Sequence, residues 1–139
     1  MIAYVDASVL LRVVLAQPDA LREWSQIDQG VASALIVTES MRTLDRLRLR
    51  VSLPDAELAA RRAKALELIA SLHIVEVDQV VLERAAQPMP TELGTLGAIH
   101  LATALLWRDT MGEPLTMATH DSALAIAAEA HGLPVVGRS

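Results

Sequence analysis

Three short stretches of this chain place a carboxylate where a strand would end or a helix begin: YVDAS around Asp6, VTESM around Glu39 and THDSA around Asp121. Asp6 closes an apolar run, Glu39 lies one turn into a helical pattern, and Asp121 follows another apolar run by two residues. Sites in open parallel α/β sheets form beyond the carboxyl ends of the strands, so these three side chains are expected at one edge of a sheet. Like charges gathered in a cleft repel, and such a cluster is stable only when protonated or when holding a cation. Oxygen donors without cysteine favour a hard ion, Mg²⁺ or Mn²⁺. Such an ion serves phosphoryl transfer by activating water and stabilising the attacking and leaving oxygens. Each residue also has an ordinary reading. Asp6 and Asp121 each precede a helix and suit an N-cap, while Glu39 suits a first turn favoured by the helix dipole.

A fourth junction, TLGAIHLATA, carries no side chain at the comparable point. Gly97 stands there, and glycine inside a helix costs about 1 kcal/mol relative to alanine. His100 shares its helix face at i+3 and is read mainly as a structural hydrogen-bonder, since imidazole both donates and accepts. Arg42 and Arg46 lie three and seven residues after Glu39, on the same helix face, where they can meet phosphates at a cleft rim. Their alternative is a solvated face with local pairs such as Arg42 with Asp45. His120 is expected to point away from the cluster. Trp24 suits either an interface or the core.

The elements that must position these residues follow one rhythm, a short apolar run and then a helical pattern. Strands are expected at 1–5, 31–34, 73–77, 115–119 and in the closing PVV. Helices are expected from Ala7 to Ala16, Ala20 to Gln29 with Gly30 as its stop, Ile36 to Val51, Pro54 to Leu72, Asp78 to Ala86, Leu96 to Thr110 and Ser122 to His131. Strands separated by helices point to an α/β sandwich with a mostly parallel sheet.

With 139 residues, the chain reads as one compact domain, 1–139, long enough to bury a sizeable core. Hydrophobic residues make up 53% and aromatics only 2%, so the core must be aliphatic. The absence of cysteine excludes a disulfide framework and a thiolate zinc site. Asp6 inside the first apolar run argues against a signal peptide, and the longest uncharged stretch, Leu93 to Trp107, is too short to span a bilayer. A soluble, cytoplasmic protein without membrane contact is expected. The net charge of −5 speaks mildly against a wholly basic nucleic-acid surface, although Arg42, Arg46, Arg48 and Arg50 form a local basic cluster.

The segments MIAYVDASVLL, SALIVTESMR, LGAIHLATALL and THDSALAIAAEAHGL resemble, in order and across essentially the whole chain, the successive motifs of the PIN-domain family. The likeness is strongest to the VapC-type toxins of bacterial toxin–antitoxin pairs. It implies a PIN-like three-layer sandwich with a five-stranded sheet. It also implies a Mg²⁺-dependent endoribonuclease acting on RNA and held inactive by a cognate antitoxin protein. A homodimer is expected from the same likeness and from the apolar composition. Of the family's four acidic positions, three match Asp6, Glu39 and Asp121, with Asp6 and Asp121 as metal ligands, and Ser8 fits the hydroxyl beside the first. The fourth position, an aspartate in the family, is Gly97 here. The resemblance therefore implies a vacant ligand position and impaired cleavage, or a silent domain that binds RNA or an antitoxin. Glu92, in the preceding loop, is the nearest substitute, but its offset of five residues displaces it by a turn or more.

Overall fold

The computed structural model describes residues 1–138. Five strands, β1 (Ile2–Val5), β2 (Gln29–Ser33), β3 (His73–Val75), β4 (Thr116–Ala118) and β5 (Val135–Val136), alternate with helical segments. The helices are α1 (Ala7–Val14), α2 (Leu35–Val51), α3 (Asp55–Ala70), α4 (Gln79–Ala85), α5 (Thr95–Met111) and α6 (Ser122–Ala130). The sheet runs β3-β2-β1-β4-β5, and every pairing is parallel.

Side chains along β1 alternate between two cores, as the period of two requires. Ala3 and Val5 join Val9, Leu10, Ile36 and Leu44 under α1, α2 and α3. Tyr4 points the other way, with Val31 and Met117, toward Leu101 and Leu105 of α5 and Leu124 of α6. The result is three layers, with aliphatic packing on both faces of the sheet. A smaller cluster of Val81, Ile99 and Ala102 seats α4 on α5.

The chain lays down β1, β2 and β3 outward in one direction, then returns to place β4 on the other side of β1. The order reverses between β1 and β4. A crevice opens at the carboxyl ends of strands at such a reversal, and the segments leaving β1 and β4 carry Asp6 and Asp121.

One expected element is different. The helix anticipated from Ala20 to Gln29 is only a short 3₁₀ turn, Arg22–Gln26, and Gly30, expected as its stop, lies inside β2. Pairing of Ile2 with Gln29 and of Ala3 with Gly30 claims those residues for the sheet. A Cβ at position 30 would run into Leu72, so glycine there lets the end of α3 lie close over the strand. Among the described residues, no helix is long and apolar enough to cross a membrane.

Candidate active site

Asp6 occupies the N-cap position of α1 in extended backbone conformation, but its carboxylate caps nothing. Oδ2 instead accepts hydrogen bonds from Ser8 Oγ at 2.7 Å and Thr119 Oγ1 at 2.8 Å. Ser8 Oγ in turn accepts from the backbone N–H of His120 at 3.0 Å, and Thr119 Oγ1 accepts from that of Asp121 at 3.0 Å. These four bonds stitch the segment after β1 to the segment after β4. The side chain of Asp6 is held rigidly, and the residue is only 6% exposed. Burial of a carboxylate is tolerated because both hydroxyls point at it.

Asp121 does cap its helix. Oδ1 accepts from the Leu124 backbone N–H at 3.1 Å, leaving Oδ2 outside the cap. Glu39 lies in the second turn of α2, and the first turn holds no acidic residue, so the dipole reading does not apply to it. Its Oε1 accepts from His100 Nε2 at 2.6 Å. The same nitrogen stands 3.8 Å from Asp6 Oδ1, too far for a hydrogen bond.

His100 is fully enclosed, as the structural reading of this residue expects. Its Nδ1 lies 2.6 Å from the Tyr4 hydroxyl, which also accepts from the Ser33 backbone N–H at 3.3 Å. Burial alone would lower the pKa of this imidazole. The hydrogen bond to Glu39 and the charges of Asp6, Glu39 and Asp121 outweigh it and hold the pKa above the ordinary histidine value. Burial, reinforced by the charge of Asp6, pushes the Tyr4 phenol well above its ordinary value, so its proton stays on.

Asp6, Glu39 and Asp121 open into one cleft of about 550 Å³. Ser8, Gly97 and His100 line its wall, and Arg42 and Arg46 reach it from α2. Arg42 also pairs with Asp45 at 3.0 Å, and Arg46 donates to Thr43 Oγ1 at 3.0 Å, so both arginines make local contacts of the alternative kind while lining the cleft. Gly97 is the third residue of α5, and a Cβ there would stand 2.7 Å from Leu93 Cδ1. The space beside Gly97 is covered by the flexible end of that leucine. Glu92 lines a separate cleft with Thr91 and Ile126, so it does not substitute for a ligand at position 97. His120 turns its ring toward the Gly137 carbonyl, 2.6 Å away, and away from the carboxylates, as expected. Trp24 packs partly buried against the α1–α3 core.

The donors are oxygens, the right kind for Mg²⁺ or Mn²⁺. Their arrangement is not that of a held ion: among the described residues, no three His, Asp or Glu side chains converge closely enough to hold a metal. One oxygen each of Asp6, Asp121 and Glu39 is already engaged by the protein's own donors. The residues present therefore do not fit a bound divalent ion as they stand, and no chemical step is routed through one.

Sequence reasoning assigned no role to Thr119, Tyr4 or Ser33. Thr119 had a signal in the THD stretch, a hydroxyl two residues before the carboxylate. Tyr4 had another, since it is the only tyrosine in the chain and sits in an aliphatic strand, where a buried phenol must find a partner.

The sequence pattern of the PIN domain matches residues 3–130. The chain belongs to the PIN-domain family. It is 35% identical over 140 residues to Ribonuclease VapC46 of Mycobacterium tuberculosis, covering 98% of this chain and 97% of that protein. Among solved structures, a toxin–antitoxin complex from Klebsiella pneumoniae aligns with a TM-score of 0.66 at 19% identity, covering 98% of this chain and 96% of that one. FitAcB from Neisseria gonorrhoeae aligns with a TM-score of 0.68 at 20% identity, covering 97% of this chain and 96% of that one. These structural likenesses give the PIN fold, and the five-stranded sheet described above is that fold.

Proposed function

We propose that this chain is the toxin of a toxin–antitoxin pair, an endoribonuclease of the VapC type, impaired as written by glycine at position 97. The observation that carries the reading is the cleft at the β1–β4 reversal, where Asp6, Glu39 and Asp121 meet beside Gly97. Identity to a VapC ribonuclease over nearly the whole chain supports RNA as the substrate. The cofactor of the complete site is Mg²⁺ or Mn²⁺, with Asp6 and Asp121 as ligands and position 97 as the missing one. Asp6 is fixed by Ser8 and Thr119 so that Oδ1 faces the cleft, and Glu39 is held beside it. Arg42 and Arg46 bind the phosphates of an RNA strand laid across the opening. The protein acts in the cytoplasm.

The partner is a cognate antitoxin, an assembly suggested by the toxin–antitoxin complex among the structural neighbours. Its inhibitory segment carries an arginine or lysine into the acidic cleft, where a guanidinium pairs with carboxylates in fork geometry. The deciding experiment compares the native chain, Gly97→Asp, and Gly97→Asp with Asp6→Asn on one total-RNA substrate, with and without EDTA. The first should cut poorly, the second should cut in a divalent-dependent way, and the third should be silent. Equal cleavage by the native chain and Gly97→Asp would overturn the vacant-ligand reading. No cleavage by any of the three would favour the second reading, a silent domain that binds RNA or an antitoxin, for which Gly97 is the supporting observation.

A further inference from the structure

Four groups from four elements form a continuous relay beneath the cleft. The Ser33 backbone N–H at the end of β2 donates to the Tyr4 hydroxyl on β1. That hydroxyl meets His100 Nδ1 on α5, and His100 Nε2 meets Glu39 Oε1 on α2. Tyr4 and Ser33 are wholly buried and His100 is 2% exposed, so water does not compete for any of these bonds except at the Glu39 end.

Donor and acceptor accounting orders the relay. A carboxylate only accepts, so His100 Nε2 must carry its proton, whether the ring is neutral or charged. In the neutral ring Nδ1 is then bare and must accept, and the Tyr4 hydroxyl is the donor that faces it. The Ser33 N–H fills a lone pair of the same hydroxyl oxygen, which turns its hydrogen toward the ring. Tyr4 also stands edge-on to the imidazole, with ring planes at 71° and centroids 5.9 Å apart, so the tilt of His100 is set from the sheet, and in the neutral ring the Tyr4 hydroxyl matches the tautomer that Glu39 requires.

We propose that His100, steered by the Tyr4 hydroxyl, is the positioning residue for Glu39, pinning one carboxylate oxygen so that the other faces the cleft. The proposal rests on Glu39 belonging to the functional site read above. It adds that the orientation of this α2 carboxylate is controlled from the far side of the sheet by a residue that never touches it. Charge on this half-buried α2 side chain would otherwise sample several rotamers, since an unpinned glutamate has three side-chain torsions.

The test is magnetic resonance on the native chain at one pH, so it does not depend on RNA cleavage or on any metal. The His100 ring N–H should give a slowly exchanging signal, identified by its loss in His100→Gln. Tyr4→Phe keeps the ring that fills the core and removes only the hydroxyl. It should speed exchange of the His100 ring N–H by about tenfold, the equivalent of one hydrogen bond of ordinary net strength at 1.4 kcal/mol per decade. It should also move the Glu39 side-chain carboxyl carbon signal, although Tyr4 does not contact Glu39. In a His100→Gln background, Tyr4→Phe should leave the Glu39 signal where it is, because the link is gone. Backbone spectra of every variant establish that the fold is kept. Should Tyr4→Phe fail to fold, Glu39→Ala gives the second reading, and the His100 ring N–H should then exchange faster. A His100 signal indifferent to Glu39→Ala, or a Glu39 signal that moves equally on Tyr4→Phe with and without His100, overturns the proposal. Either outcome leaves the ribonuclease reading standing.

Discussion

Placing an aspartate at position 97 perturbs the cleft in a way whose parts can be weighed separately. The new Cβ would stand 2.7 Å from Leu93 Cδ1 and 3.2 Å from its Cγ. Both atoms belong to the far end of a flexible, half-buried side chain, so Leu93 must rotate, at a cost of about 0.5–1.5 kcal/mol if it leaves its preferred rotamer. Against this, helix α5 has no acidic residue in its first turn, and a carboxylate there gains about 0.3–1 kcal/mol from the helix dipole. Replacing glycine in a helix adds a few tenths of a kcal/mol. These local contributions nearly cancel, and repulsion from Asp6, Glu39 and Asp121 should leave the metal-free variant less stable than the native chain. The electrostatic consequence is larger. One more unit charge about 4 Å from an ion, at an effective dielectric near 20, is worth about 4 kcal/mol before desolvation. Even a third of that tightens divalent binding about tenfold. The assay is Mn²⁺ binding followed by the paramagnetic resonance of the free ion, alongside thermal unfolding of both proteins. Affinity that stays within twofold while the fold is intact would refute the argument, because position 97 would then not face the ion. A second variant, Gly97→Asp with Leu93→Ala, should bind Mn²⁺ as Gly97→Asp does if Leu93 merely swings aside.

Three further outcomes are expected. Thr119→Val removes the hydroxyl that bonds both Asp6 and the Asp121 backbone N–H in a fully buried setting, and should destabilise the protein by about 1–3 kcal/mol in chemical denaturation, with Thr119→Ser close to native. The raised pKa of His100 means that the folded state holds its proton more tightly than the unfolded chain. Its stabilisation is fully present below the unfolded histidine value, about 6.5, and is lost as pH rises through the higher folded value. Unfolding midpoints of the native chain should accordingly fall more steeply over that range than those of His100→Gln, and parallel curves would count against the shift. Exposed aliphatic side chains including Leu49, Val51, Leu66 and Val80 favour a symmetric homodimer, so sedimentation at high micromolar concentration without antitoxin should give twice the chain mass.

Much of this protein was determined by local sequence. The apolar runs at 1–5 and 115–119 are short and uncharged, which suits strands buried on both faces, and the long three-and-four spacing of Val37, Met41, Leu44 and Leu47 allows only a helix. The positions of Asp6 and Asp121 just past two strands were enough to place them at one sheet edge. The glycine at position 97 was visible in the sequence too, and the resemblance to the family raised the proposal that a ligand is missing there. Other features depended on contacts between residues far apart in the chain. Residues 20–29 have helical composition, yet pairing with β1 took Gln29 and Gly30 into the sheet, because ladder hydrogen bonds and the close approach of Leu72 outweigh a weak local propensity. Whether Asp6 was a cap was likewise a tertiary matter: Thr119, far along the chain, joins Ser8 in donating to the carboxylate, which therefore caps none of the backbone N–H groups of α1. The relay from Ser33 through Tyr4 and His100 to Glu39 joins four elements by single hydrogen bonds, the first set between β2 and β1 and the other two by the packing of α5 and α2 against the sheet. No spacing rule within one segment encodes such a relay, since each partner is chosen by which side chain the folded layers bring within about 3 Å.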